Sequence, residues 1–186
     1  MKVVAFMPAK GASTRIENKN LRLLDGKPLF LHTIEKLMSC DFVDEVYLDT
    51  ESDEMIELAS DSGCKVLKRD PALASNATDG HELFHNSASK CEGDLYIQVL
   101  CTSLFIEPST LRRVEALAAP DSPYDSAVLV RREKQYLWNG DRPAYGEGLD
   151  SNSIDLPDTV IGTMGMYMMR ADAARRLRRR IGPGAR

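Results

Sequence analysis

Apolar positions along the chain alternate between two rhythms. Val3-Val4-Ala5-Phe6-Met7 is an unbroken apolar run, the length and composition of a buried strand. Pro28–Met38 follows with Leu29, Leu31, Ile34 and Leu37 at helical spacing and a proline suited to the first turn. The pattern then predicts a strand at Val46–Asp49 and a Ser52-capped helix carrying Met55, Ile56, Leu58 and Ala59. Gly63 stands as a C-cap, and Lys65–Leu67 as a short strand. Further on it predicts a helix over Asp79–Lys90, a buried strand over Leu95–Leu100, a helix over Pro108–Ala118 and a strand over Ser126–Arg131. Val160–Met169 reads as partly strand and Ala171–Arg180 as a helix. Between them Arg132–Pro157 is a long polar excursion bearing Tyr136, Trp138 and Tyr145. Strand and helix in alternation imply an α/β three-layer sandwich on a mostly parallel sheet, read as one domain over 1–186. Ligands of such sheets bind beyond the carboxyl ends of the strands.

The loop after the first strand therefore carries the first candidate chemistry. Pro8 to Leu21 places Lys10, Arg15 and Lys19 in one segment, with Gly11 admitting close backbone approach and Ser13 and Thr14 adding hydroxyls. Several cations and free amides suit a polyanion such as a nucleoside triphosphate. The spacing is neither G-x-x-x-x-G-K-[ST] nor G-x-G-x-x-G, and a solvated basic loop would read the same way.

Charge narrows the classes. With 24 Lys+Arg against 28 Asp+Glu the formal net charge is −4, which argues against a nucleic-acid-coating surface. Arg170 to Arg186 nevertheless holds seven arginines against Asp172 alone. A helix C-terminus favours cations, so this cluster reads as a solvated helix end. No apolar run approaches the ~20 residues of a membrane span. The five-residue N-terminal run is shorter than the ~7–15 apolar residues of a secretory signal. Cys40, Cys64, Cys91 and Cys101 are scattered, as reduced thiols of a cytoplasmic protein would be.

At this point Pro8-Ala9-Lys10-Gly11-x-Ser13-x-Arg15-x-x-x-Lys19-Asn20-Leu21, Leu24-x-Gly26-Lys27-Pro28-Leu29 and His32-Thr33-Ile34-Glu35 acquire a joint meaning. With Asp44–Ser52, Arg69-Asp70-Pro71-x-Leu73-Ala74 and, more loosely, Gln98–Ser103, the chain resembles the acylneuraminate cytidylyltransferase family, the CMP-sialic acid synthetases and relatives. The likeness weakens after about Ile106. It implies a Rossmann-like nucleotidyltransferase fold, transfer of CMP from CTP to a sialic-acid-like 2-keto-3-deoxy sugar acid with release of pyrophosphate, and Mg²⁺ as cofactor. It also implies a homodimer whose contacts come from about 132–157. Position by position it implies that Lys10, Gly11, Ser13, Arg15, Lys19 and Asn20 form the triphosphate loop, with Arg15 and Lys19 catalytic. By the same likeness Arg69, Thr78, Asp79 and Gly80 lie at the nucleotide, and Thr102, Ser103, Gly165 and Tyr167 at the sugar acid.

The departures from the family pattern also carry expectations. Leu100-Cys101-Thr102-Ser103-Leu104-Phe105-Ile106 lacks the Gln and Arg that flank the Thr-Ser pair in sialic acid enzymes. The chain ends at Ile181-Gly182-Pro183-Gly184-Ala185-Arg186 without the family's Ile-Asp-x-Asp metal segment. It therefore reads as truncated there, expected to bind CTP and turn over slowly. The metal ligands stay unassigned, with Asp49 and Glu51 as candidates. Two alternatives stand beside the enzyme: an inactive nucleotide-binding relative, and a zinc hydrolase built on His81-Glu82-Leu83-Phe84-His85. His32 reads as structural, and Met164, Met166, Met168 and Met169 as core.

Overall fold

In the computed structural model of the protein, residues 1–13, 16–117, 121–144 and 152–186 are described. Strands and helices run along them as β1 (Val3–Pro8), β2 (Leu23–Leu24), β3 (Lys27–Pro28), α1 (Leu29–Met38), β4 (Glu45–Thr50), α2 (Asp53–Leu58), β5 (Lys65–Lys68), α3 (Gly80–Ala88) and β6 (Leu95–Val99). They continue as α4 (Pro108–Leu117), β7 (Ser126–Glu133), β8 (Trp138–Asn139), β9 (Arg142–Pro143), β10 (Thr159–Arg170) and α5 (Ala171–Leu177).

Val3 to Met7 is apolar on both faces because β1 is an inner strand covered on both sides, the pattern parallel sheets require. It pairs in parallel with β4 on one side, Ala5 opposite Val46, and with β6 on the other, Ala5 opposite Ile97. β5 adds in parallel to β4, and β10 runs antiparallel to β6 with Tyr167 opposite Gln98. The sheet order is β5-β4-β1-β6-β10-β7. The chain thus builds outward from β1 through β4 to β5, then crosses to β6 on the far side. That reversal makes the carboxyl end of β1 a topological switch point.

On one face α3 and α5 cover an aromatic cluster. Phe6 meets Tyr96 at 5.5 Å between ring centroids, Tyr47 at 6.2 Å and Phe84 edge-on at 6.3 Å. Ala171, Ala173 and Ala174 are small enough to bring α5 down onto Met169 and Tyr96. The helix starts follow local chemistry: the Ser52 hydroxyl accepts from Met55 N, and the Asp79 carboxylate accepts from His81 N and Glu82 N. α5 is shorter than the sequence predicts. It stops at Leu177, with Arg178 left-handed at φ 52°, so Arg179 and Arg180 lie beyond it. Met166, Met168 and Met169 are core as expected, whereas Met164 is exposed.

By their contacts the residues form two compact units, one of 1–128 with 165–186 and one of 129–164. The polar excursion at about 132–157 falls in the second. There β8 and β9 close a hairpin through Gly140 at φ +66°, and the Thr163 hydroxyl donates to Leu129 O. Tyr136 and Trp138 are exposed there, and Tyr145 lies outside the described residues.

Candidate functional site

All the described site candidates fall in the first unit, at the carboxyl edge of its sheet. The loop leaving β1 is held by its neighbours at Ala9, Lys10 and Gly11. Ala9 N donates to Asp49 O (3.0 Å), and Gly11 N donates to Glu51 Oε1 (2.8 Å). Gly11 lies so close to Ser52 that a Cβ would sit 2.8 Å from the serine Cβ, which explains the glycine without recourse to φ. The loop returns through a 3-10 turn at Lys19–Leu21, entered by Asn18 in the left-handed region at φ 48°. Asn20 is buried and bridges: its Nδ2 donates to Lys10 O (2.9 Å) while its Oδ1 accepts from Cys101 Sγ (2.9 Å). Cys101 is fixed in turn, since Thr33 Oγ1 donates to its carbonyl (3.1 Å). Burial pushes the Cys101 thiol up to about 11 against the opposing charge of Lys19, so at neutral pH it is a protonated donor.

Lys10 reaches across to the 70–79 segment, where Nζ donates to Asn76 Oδ1 (2.7 Å). The structure therefore brings Lys10, Gly11, Lys19 and Asn20 together beside the segment carrying Thr78, Asp79 and Gly80. Ser13 is half-buried in the same loop, and Arg15, with Thr14, lies outside the described residues. Thr78 Oγ1 shares a hydrogen bond with Ser75 Oγ (3.3 Å). The Asp79 carboxylate is the α3 cap, and those two backbone N–H groups hold it below the usual carboxylate range.

Arg69 sits deeper than the resemblance implies. It is 3% exposed, with Nε on Asp49 Oδ1 (2.9 Å), Nη2 on Asp49 O (2.6 Å) and Nη1 3.6 Å from Glu51 Oε2. Asp49 also accepts from Ser87 Oγ (2.9 Å). This arrangement holds Glu51, whose other oxygen takes the Gly11 amide. Asp49 is thus committed to Arg69 and Ser87, whereas Glu51 gives Oε1 to the Gly11 amide and keeps a buried Oε2 with no hydrogen-bond partner. Among the described residues no group of three His, Cys, Asp or Glu side chains converges on a point. The described residues by themselves do not make up a Mg²⁺ site.

The same observation bears on His81 and His85, which have no third ligand among the described residues. His81 Nδ1 instead accepts from Arg180 N (3.2 Å). His32 Nε2 bonds Leu24 O (2.8 Å), tying α1 to the β2–β3 turn. Thr102 is exposed and Ser103 half-buried. Ser103 faces Gly165, where a Cβ would lie 2.7 Å from its Oγ. Tyr167 is buried beside Gln98, and the Arg180 guanidinium lies 3.8 Å over its ring.

Three participants escaped the sequence. Glu51 stood only as a possible metal ligand, Cys101 as one of four scattered thiols, and Arg180 as part of a solvated helix end. Each acts through a partner between 40 and 99 positions away, and no local pattern encodes such a distance.

Comparison with known proteins gives a family, two relatives and one solved structure. Residues 4–139 match the family model described as Cytidylyltransferase. Over 130 residues the chain is 28% identical to 3-deoxy-manno-octulosonate cytidylyltransferase of Chlorobium phaeovibrioides, covering 70% of this chain and 51% of that one. Over 104 residues it is 32% identical to pseudaminic acid cytidylyltransferase of Campylobacter jejuni, covering 54% and 45%. The chain spans about half the length of the curated relatives it matches. A solved CMP:2-keto-3-deoxy-manno-octonic acid synthetase complexed with CTP superposes with a TM-score of 0.73 at 19% identity, over 95% of this chain and 77% of that one. At that identity the likeness shows the fold, a Rossmann-like nucleotidyltransferase sheet.

Proposed function

The chain belongs to the cytidylyltransferase family, and from that premise we propose that it transfers CMP from CTP to a 2-keto-3-deoxy sugar acid of sialic-acid type, releasing pyrophosphate. The observation that carries this reading is the β1 loop. It carries Lys10 and Lys19 at the switch point, on a backbone held at Lys10 O by Asn20 and at Gly11 N by Glu51. A hydroxyl of the sugar acid attacks the α-phosphate, and the bond to the pyrophosphate group breaks. Such a transfer is governed by positioning and by neutralising charge on the leaving group. In this chain Lys10 and Lys19 supply charge, joined in the proposal by Ser13 and Arg15. Asn20 and Gly11 set the path of the backbone, and Arg69 acts through Glu51. Thr78, Asp79 and Gly80 border the nucleotide, while Thr102, Ser103, Gly165 and Tyr167 border the acceptor.

Relatives named for 3-deoxy-manno-octulosonate and for pseudaminic acid support the acceptor class. Mg²⁺ would enter with the triphosphate and help neutralise its charge. A homodimer made through the 132–157 excursion, with its exposed Tyr136 and Trp138, completes the reading, and a cytoplasmic location goes with it.

The test is a panel of 2-keto-3-deoxy sugar acids incubated with CTP, Mg²⁺ and the full chain, reading pyrophosphate and the CMP-sugar. We expect at least one acid to give both products in equal amounts. CTP binding with no transfer to any acid would identify an inactive relative instead.

A further inference from the structure

We propose that Arg180 is an oxyanion-binding residue of the same site, presented to a phosphate or carboxylate group of the substrates. This inference rests on the reading above. Among the described residues, the arginines that follow α5 form a basic cluster apart from the β1 loop. Of the arginines following α5, Arg178 and Arg179 are exposed, whereas Arg180 turns inward. Its guanidinium stacks 3.8 Å over the Tyr167 ring, and its Nη1 donates to Gln98 Oε1 (3.3 Å). Its backbone N donates to His81 Nδ1. It presses so closely on Gly80 that a Cβ there would meet Cζ at 2.3 Å.

Gly80 and Tyr167 come from opposite halves of the chain, and Arg180 touches both. It lies where the start of α3 meets the carboxyl end of β6. What holds it is neutral: an aromatic face, a carboxamide and an imidazole. Among the described residues no carboxylate pairs with it. Asp79 lies within reach of its field, with Oδ1 taken by the two α3 amides, and makes no hydrogen bond to the guanidinium. The Arg180 Nε is buried and has no hydrogen-bond partner. With Nε buried and Nη1 on Gln98, Nη2 makes none of these bonds, and a stacked, half-buried guanidinium that no carboxylate hydrogen-bonds is suited to a charge-assisted bond to an oxyanion. The neighbouring Arg179 adds to the field, and His81, held below its usual pKa by burial and by Arg180, adds no charge at neutral pH.

Calorimetry on the full chain with three probes separately tests this: CTP, 3-deoxy-manno-octulosonate and inorganic pyrophosphate. Arg180→Gln removes the charge. Arg180→Lys keeps it without the fork. Gly80→Ala leaves Arg180 in the chain but places a Cβ where the guanidinium lies. The thermal midpoint of each variant is checked beside the binding, so that a fold defect in one leaves the others to decide. We expect Arg180→Gln and Gly80→Ala to weaken binding of at least one probe about 10- to 100-fold, the scale of one charged hydrogen bond. Arg180→Lys should lose less. Loss for CTP and pyrophosphate assigns the anion to the nucleotide phosphates; loss for the sugar acid alone assigns it to the carboxylate. Wild-type binding that both Arg180→Gln and Gly80→Ala leave intact overturns this inference and spares the function proposed above. A wild-type chain that binds none of the three probes overturns both.

Discussion

Asp49 is wholly buried, and everything it touches is a donor: Arg69 through Nε and Ser87 through its hydroxyl. Removing one member of a buried charge pair leaves the other uncompensated, which costs about 3–5 kcal/mol. Asp49→Ala is therefore expected to lower stability toward that amount in urea denaturation, less what Glu51, 3.6 Å from Arg69 Nη1, still offsets. Adding Arg69→Met to it should recover part of the loss, because the stranded cation goes too. A double variant no more stable than Asp49→Ala alone would show that the pair is not what Asp49 supports. The two residues were visible in the sequence as an acid at a strand end and an arginine after a short strand. Their pairing was not, because it depends on β4 and β5 lying side by side in register, Asp49 opposite Leu67. The cations of the β1 loop were legible for the opposite reason: Lys10 and Lys19 sit within one short segment, so proximity in sequence is proximity in space.

At the scale of elements, α3 and α5 show where local signals suffice and where they fail. Asp79 announces α3, since a capping carboxylate satisfies the first amides whatever packs nearby. The end of α5 carries no glycine or asparagine. Arg178 takes the left-handed conformation that those residues would advertise, and the run of arginines reads on as helix. The consequence lies at His81, which receives the turned-back chain on Nδ1. Its folded pKa is lowered, chiefly by burial, then by Arg180 and Arg179, with Asp79 opposing. The unfolded chain then takes up the proton more readily than the folded one. Stability is full above about 6.5 and falls as pH drops through the window between the unfolded and folded pKa values. A protonated Nδ1 also can no longer accept from Arg180 N. Thermal midpoints are expected to fall more for the wild type than for His81→Asn between about pH 7.5 and pH 5.5. Equal losses would contradict this account of the α5 end.

For the whole molecule, the alternation of strand and helix was enough to specify a sheet with helices on its faces. Apolar runs such as Val3–Met7 declare burial on both sides. The antiparallel course of β10 was not legible, because a buried run reads alike in either direction, and nothing in its pattern names Gln98 as the partner of Tyr167. Nor was the separation of 129–164 as its own compact unit, since polarity alone does not distinguish a loop from a small hairpin assembly. The topology does place the β1 loop at the point where the strand order reverses, and the central claim is that this point receives CTP. The most direct measurement is calorimetric titration of CTP, with Mg²⁺, into the full chain and into Lys19→Ala, with the thermal midpoint of each recorded. The wild type is expected to bind saturably, and Lys19→Ala to bind more weakly by ~1.5–3 kcal/mol at an unchanged midpoint, the loss of one charge-assisted hydrogen bond. No binding by the wild type, or equal affinity in both chains, would contradict that claim.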